Sequence, residues 1–342
     1  MYWISMYSLR VFSLLLLLFL FSCKEEEKQK PFVTPSSSSL LVLNEGNFGW
    51  NNASIGIYTW QDSLYQADIF KKQNARPLGD VLQSAVLYNG ELFLIVNNSS
   101  AIEVVSPINF KHKRTLQGIS SPRYMLPMPG TSNAWITDIY ADKLFKIDLL
   151  TGTKLDSIFV KGWNEQICSW AENEFIFSNL LKNCLYFFDP NTAIIKDSIV
   201  LDGEPRYLQK TTLGDLFFVV NQSNASGSTI YKLEKSTKEK ISQFQSSTRI
   251  AQMCVGANGE LYFVSDNKLF KSTAIGLASF LADLPPSSTI YAMYYDLKNQ
   301  QILISNAGNF VQKGKIYFYD TSGTLKRTIE AEIIPNGFLP LD

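Results

Sequence analysis

From residue 40 onward the chain repeats itself, and that periodicity constrains the fold more than any single motif. ELFLIVNNSSAIEVVSP (91–107), NAWITDIYADKLFKIDLLTG (133–152), EFIFSNLLKNCLYFFDPNT (174–192) and DLFFVVNQSNASGSTIYKLEKST (215–237) share one pattern. Each has an apolar strand ending in Asn or Asp, a polar turn, an alternating strand, then a turn built on Asp, Pro, Thr or Gly. Looser copies occupy 40–62, 260–273 and 301–323. Marking each by its first apolar residue gives Leu41, Leu92, Ala134, Phe175, Leu216, Leu261 and Ile302, at intervals of 51, 42, 41, 41, 45 and 41. A period of about 40–45 residues with four short strands per unit predicts an all-β, seven-bladed β-propeller. Chance alternation in an ordinary sandwich would not hold so constant a register.

In such a ring the innermost strand of each blade is A, and B, C and D step outward. The quoted repeats are strands B and C. Strand A is expected just upstream, as in Ser84–Tyr88, Tyr124–Met128, Gln166–Trp170, Tyr207–Lys210 and Ile250–Val255. The first blade has no such segment before it, so Pro335 to Leu339 is expected to close the ring and leave no open edge. The segments Ile95-Val96-Asn97, Ile136-Thr137-Asp138, Phe177-Ser178-Asn179 and Val219-Val220-Asn221 resemble the YVTN repeats of YncE-like propellers. That resemblance implies the fold and says little about function.

Composition removes several functions. Lys plus Arg and Asp plus Glu both number 31, so no net field attracts nucleic acid. The single histidine, His112, sits in the polar run KHKR and reads as part of a solvated edge strand. One imidazole leaves little scope for metal sites or Ser-His and Cys-His nucleophiles. Cys168, Cys184 and Cys254 match no zinc or redox spacing and read as small buried hydrophobes, with one disulfide as the alternative.

The N-terminus reads as a targeting segment. VFSLLLLLFLFS (11–22) follows Arg10 and is too short to span a bilayer, but fits the apolar region of a secretory signal. Leu20-Phe21-Ser22-Cys23 resembles a bacterial lipobox, with Cys23 as the lipidated residue. KEEEK (24–28) and the Ser run 36–39 then read as a solvated tether. The acidic run after the cysteine resembles the surface-export signal of Bacteroidetes lipoproteins. The expected layout is a signal peptide at 1–22, a tether at 23–39 and a propeller at 40–342, held at the outer-membrane surface by lipid.

The two ends of the ring differ. C–D turns such as Pro107-Ile108-Asn109 and Thr321-Ser322-Gly323 carry ordinary turn chemistry. The opposite end collects the less ordinary residues. Its B–C connections hold Asn44, Glu45, Asn47, Phe48 and Trp50; Asn97 and Asn98; Asp138 and Tyr140; Asn179; Asn221; Asp266; and Asn306. Its D–A connections hold Arg76, Asp80, Arg123-Tyr124, Trp163, Glu165, Arg206-Tyr207, Arg249, Tyr291 and Asn336. Amides, guanidinium groups and aromatic faces in a ring suit a large polar ligand. The strand-end Asn and Asp residues also have a second reading, as partners of the turn backbone. NEGNFGWNN (44–52) runs from strand to strand with no helix N-terminus, so it is no phosphate cradle.

NEGNFG (44–49) and RPLGDVLQS (76–84), with the VNNS and SPRYM segments that follow, resemble a group of Bacteroidetes surface lipoproteins that accompany the outer-membrane vitamin B12 receptor. The resemblance implies capture of cobalamin or a related corrinoid on the loop-rich face, with handover to a TonB-dependent outer-membrane receptor. It implies no intrinsic cofactor and no catalysis. Two alternatives stand beside it. One is a glycan-binding or adhesive propeller using Phe48, Trp50 and Trp163. The other is a metal-dependent lactonase or lyase, for which Glu45, Asp80, Asp138, Glu165 and Asp266 offer carboxylates without a supporting histidine.

Overall fold

The computed structural model describes residues 39–211, 213–223 and 226–341. The expected signal peptide, Cys23 and almost all of the tether lie outside them. The described residues form seven four-stranded antiparallel sheets arranged as blades. Strand A is Leu82–Tyr88, Pro122–Pro127, Asn164–Ala171, Gly203–Lys210, Ile250–Val255 and Ile290–Asp296 in blades 2 to 7. In blade 1 it is Pro335–Pro340, which pairs with Ser39–Asn44 from the opposite end of the sequence. The ring is closed by main-chain hydrogen bonds between the two ends of the domain, as the missing first strand implied.

Alternation dictates the packing. Strand B of each blade is nearly continuous apolar sequence and is buried on both faces, as in Leu92–Val96 and Phe217–Val220. Outer strands such as Lys154–Phe159 are largely exposed. The cores lie between successive blades: Phe93 and Ile95 of blade 2 pack with Ala134 and Ile136 of blade 3. Trp135 in strand B of blade 3 is fully buried and donates its indole N–H to the Pro190 carbonyl of blade 4 at 2.9 Å. A buried indole needs such a partner, so one side chain packs a core and joins two blades. In blade 1, Gly56 is required because the Tyr65 ring lies over it, with a Cβ there only 2.2 Å from the hydroxyl.

The region 59–81 contains the short outer strand Leu64–Gln66 and a six-residue helix, Ile69–Asn74. Sequence periodicity gives no hint of that helix, because six residues are too few to show a 3.6 repeat. Ile69 and Phe70 bury it.

His112 lies on the outermost strand of blade 2, with Nε2 3.2 Å from the Glu103 carboxylate and 3.1 Å from the Thr115 hydroxyl. The three cysteines in the described residues are free thiols. Burial pushes the Cys168 thiol up to about 12, so it stays protonated and inert.

Candidate functional site

The centre of the ring is built by one irregularity repeated in every blade. Strand A loses register with strand B near its start, between Leu82 and Ser84, Pro122 and Met125, Asn164 and Ile167, Arg206 and Gln209, Ile250 and Gln252, and Ile290 and Ala292. In blade 1 the residue passed over is Asn336. A bulge leaves a residue outside the ladder and re-aims its side chain. Here the bulges supply Gln83, Arg123, Tyr124, Glu165, Gln166, Tyr207, Ala251, Tyr291 and Asn336, which line an axial cavity of about 600 Å³. Tyr207 takes a positive φ of 56° to do so.

This corrects the placement of several residues. Arg123, Glu165, Arg206 and Tyr291 belong to strand A itself, not to D–A connections, while Tyr124, Tyr207 and Asn336, expected both there and at the start of strand A, are strand A residues. The bulge breaks alternation, so these strand starts resemble loop in the sequence. Gln83, Gln166 and Gln252 also line the cavity and were not among the candidates; the last two were read only as strand A residues. Their signal was repeat position: Gln83 aligns with Arg123 and Arg206, and Gln166 and Gln252 align with Tyr124 and Tyr207.

The channel's polar groups hold one another. Arg123 makes a two-pronged ion pair with Glu165, Nε to Oε2 and Nη2 to Oε1 both at 3.0 Å. Burial works against the Arg123 charge, but Glu165, joined by Tyr124 and Glu45, raises its pKa above the usual guanidinium value. Arg206 pairs with Glu204 at 2.8 Å. The Tyr124 hydroxyl accepts from Gln83 Nε2 at 3.2 Å, and burial pushes its pKa up to about 12. Glu45 follows strand B of blade 1 and faces the cavity. Burial raises its pKa, while hydrogen bonding by Tyr291 and the Arg123 charge pull it down.

The strand-end amides and Asp138 have a different role. Asp138 is fully buried; one oxygen accepts from Tyr140 N and Ala141 N, the other from Ser121 N and the Ser120 hydroxyl. Asn179 joins Lys161 O, Asn164 and Lys182 N. Asn306 joins Thr289 N, Gly308 N and Tyr317. Asn97 donates to Pro122 O and Asn221 accepts from Ser228. Asn44 is buried too. In blade 6 Ser265 takes the equivalent place, tying to Thr248 and Arg249 O, while Asp266 lies in the turn beyond. Asp138, Asn179, Asn221 and Asn306 thus lock their own B–C turns or D–A connections and Asn97 ties blade 2 to strand A of blade 3, so these side chains do not present themselves to a ligand. Arg76 is also displaced from the axis: it grips Glu103 on strand C of blade 2 at 2.8 Å and stacks over Phe70.

The loop-rich face carries two apolar groups. On blades 1 and 7, Phe48 and Trp50 are 76% and 73% exposed, with Phe310 and Val311 also exposed. Their loops are tied together by Asn47 Nδ2 donating to Phe310 O. Asp80 fixes the same loop to blade 2, accepting from Gly49 N and Asn98 Nδ2, both at 2.7 Å. Phe310 meets Tyr291 edge to face at 5.8 Å, which carries this group to the channel mouth. On blades 3 and 4, Tyr140, Trp163 and Leu181 are exposed. Gly162 N bonds Asp142 at 2.8 Å and Leu180 N bonds Trp163 O at 2.9 Å, joining those loops. In a seven-fold ring the two groups stand nearly opposite each other across the mouth. Arg249 is exposed at the same end.

A sequence-family model described as "Domain of unknown function (DUF5074)" matches residues 38–331, almost the whole propeller. The chain belongs to the DUF5074 family. No curated protein matches this DUF5074 chain in sequence. Solved propellers share its fold. A Lactobacillus plantarum protein superposes with TM-score 0.67 at 14% identity, covering 90% of this chain and 100% of its own. The periplasmic gluconolactonase of Pseudomonas aeruginosa gives 0.67 at 11%, covering 88% and 98%. Dihydro-heme d1 dehydrogenase in complex with DHE gives 0.61 at 10%, covering 92% and 77%. At such identities the likeness is one of fold.

Proposed function

We propose that this DUF5074 propeller is a binding protein that captures a large, polar, partly flat ligand over its channel mouth, and that the ligand is cobalamin or a related corrinoid. The observation that carries this is the pair of exposed aromatic groups, Phe48–Trp50–Phe310 and Tyr140–Trp163, flanking a channel lined with amides, tyrosines and arginines. A broad disc fringed with carboxamides would rest its apolar area on the rings and direct its amides to Gln83, Gln166, Gln252 and Asn336. A glycan would use the same rings; the amide-lined depth between them favours a ligand with arms that enter the channel.

Binding rather than catalysis fits the wiring of the charged groups. Glu165 is locked to Arg123, Asp138 is consumed by four hydrogen bonds, and the sole histidine lies on an outer strand. With the sequence resemblance, the same reading makes the protein a lipid-anchored outer-membrane surface component that hands its ligand to a TonB-dependent receptor. Titration calorimetry with cyanocobalamin and cobinamide tests it. The expected result is saturable one-to-one binding, weakened by Phe48→Ala and Trp50→Ala together. No heat at micromolar protein would remove the corrinoid reading.

A further inference from the structure

The charges lining the channel do not balance. Arg123 spends both Nε and Nη2 on Glu165, and Arg206 is bound by Glu204. Glu45 faces the same cavity and, among the described residues, has no Lys or Arg within ion-pair distance. Its backbone is held on both sides: its N–H donates to Ile334 O at 2.8 Å and its carbonyl accepts from Leu82 N at 3.1 Å. The carboxyl therefore enters the channel at a fixed point, beside Tyr291 and in the field of Arg123, Glu165 and Tyr124. A carboxylate only accepts hydrogen bonds, and the nearby tyrosine hydroxyl does not use up its acceptor sites. Exposing such a group to a cavity without a counter-cation is costly unless the ligand brings donors.

We propose that the Glu45 corner of the channel receives an N–H-bearing arm of the ligand, a carboxamide or an ammonium group, and rejects a carboxylate. A ligand carboxylate there would meet Glu45 with both channel arginines already taken, so discrimination comes from repulsion as well as from hydrogen bonding. The inference rests on the proposed ligand-binding role of this face, and it assigns Glu45 as the specificity-determining residue.

The test is calorimetric titration of wild type, Glu45→Gln and Glu45→Asp with three corrinoids. These are cyanocobalamin, the same compound with peripheral carboxamides hydrolysed to acids, and one with those positions carrying aminoalkyl amides. Wild type is expected to bind the acid form at least about tenfold more weakly than the amide, a gap that E45Q reduces below about threefold. E45D keeps the charge and is expected to keep the discrimination. Tighter binding of the aminoalkyl form by wild type but not by E45Q identifies the arm as an ammonium; equal binding identifies a carboxamide. Equal affinity of wild type for acid and amide, or undiminished discrimination in E45Q, overturns the role of Glu45 and leaves the corrinoid reading standing. No binding of any of the three to wild type overturns both.

Discussion

Asp138 is the sharpest test of which face residues are structural. It is fully buried and accepts from three backbone N–H groups and one hydroxyl, at 2.8–3.0 Å. A hydrogen bond to a charged acceptor contributes about 1.5–3 kcal/mol, and a buried donor left bare costs about 1–3 kcal/mol. Asp138→Ala strips three backbone donors at once; with partial relaxation and water entry, the expected loss is about 4 kcal/mol. Asp138→Asn keeps the oxygen facing Tyr140 and Ala141 but turns an NH₂ toward the Ser121 N–H, so about 1–2 kcal/mol is expected. Blade 4 carries Asn179 at the equivalent place without penalty because its D–A connection offers the Lys161 carbonyl instead of an N–H. Urea unfolding, with m-values checked for constancy, measures both variants. Ligand affinity per folded molecule should not change. D138A within about 1 kcal/mol of wild type, or one that folds normally and loses binding, would refute the reasoning.

Other expectations are equally direct. Arg123→Met leaves Glu165 buried and unpaired, so a loss of about 3–5 kcal/mol is expected, with much of it recovered by adding Glu165→Met; denaturant midpoints of the cycle check this. Burial raises the Glu45 pKa, so its contribution to stability is fully present below the ordinary carboxylate pKa and is lost as pH rises through the folded value. Glu45→Gln should therefore raise the melting temperature at pH 7–8 and leave it nearly unchanged at pH 4; an unchanged melting temperature at pH 8 would count against the buried, ionised carboxyl. Glu91 is depressed to about 2, chiefly by its hydrogen bonds from Arg114. Its stabilisation is present above the ordinary value of 4.5 and is lost as pH falls toward 2, so Glu91→Gln should flatten the acid limb of a stability–pH curve. Deleting the chain from Pro335 onward removes the innermost strand of blade 1 and part of the channel wall, and should abolish cooperative unfolding by circular dichroism.

The architecture was legible in the sequence because a propeller writes one local unit seven times. Leu92–Val96 and Ala101–Val105 announce strands as short apolar runs bounded by polar turns, and the spacing from Leu41 to Ile302 counts the blades. Even closure by Pro335–Pro340 followed from a missing strand A in the first repeat. The site was only half legible. Phe48 and Trp50 stand exposed where their loop placed them, but Asn97, Asp138, Asn179 and Asn306 turned inward, since a short polar side chain at a strand end finds backbone partners before it finds solvent. Arg76 followed Glu103, a partner 27 residues away that no local pattern reveals. The channel itself was decided by tertiary structure. Its lining depends on a bulge in each strand A, and a bulge is a property of pairing between two strands, invisible until both are in place. What the chain alone determined was the repeat, because strand periodicity is local. What only the folded ring decided was which polar side chains face one another across its axis, because that requires all seven blades at once.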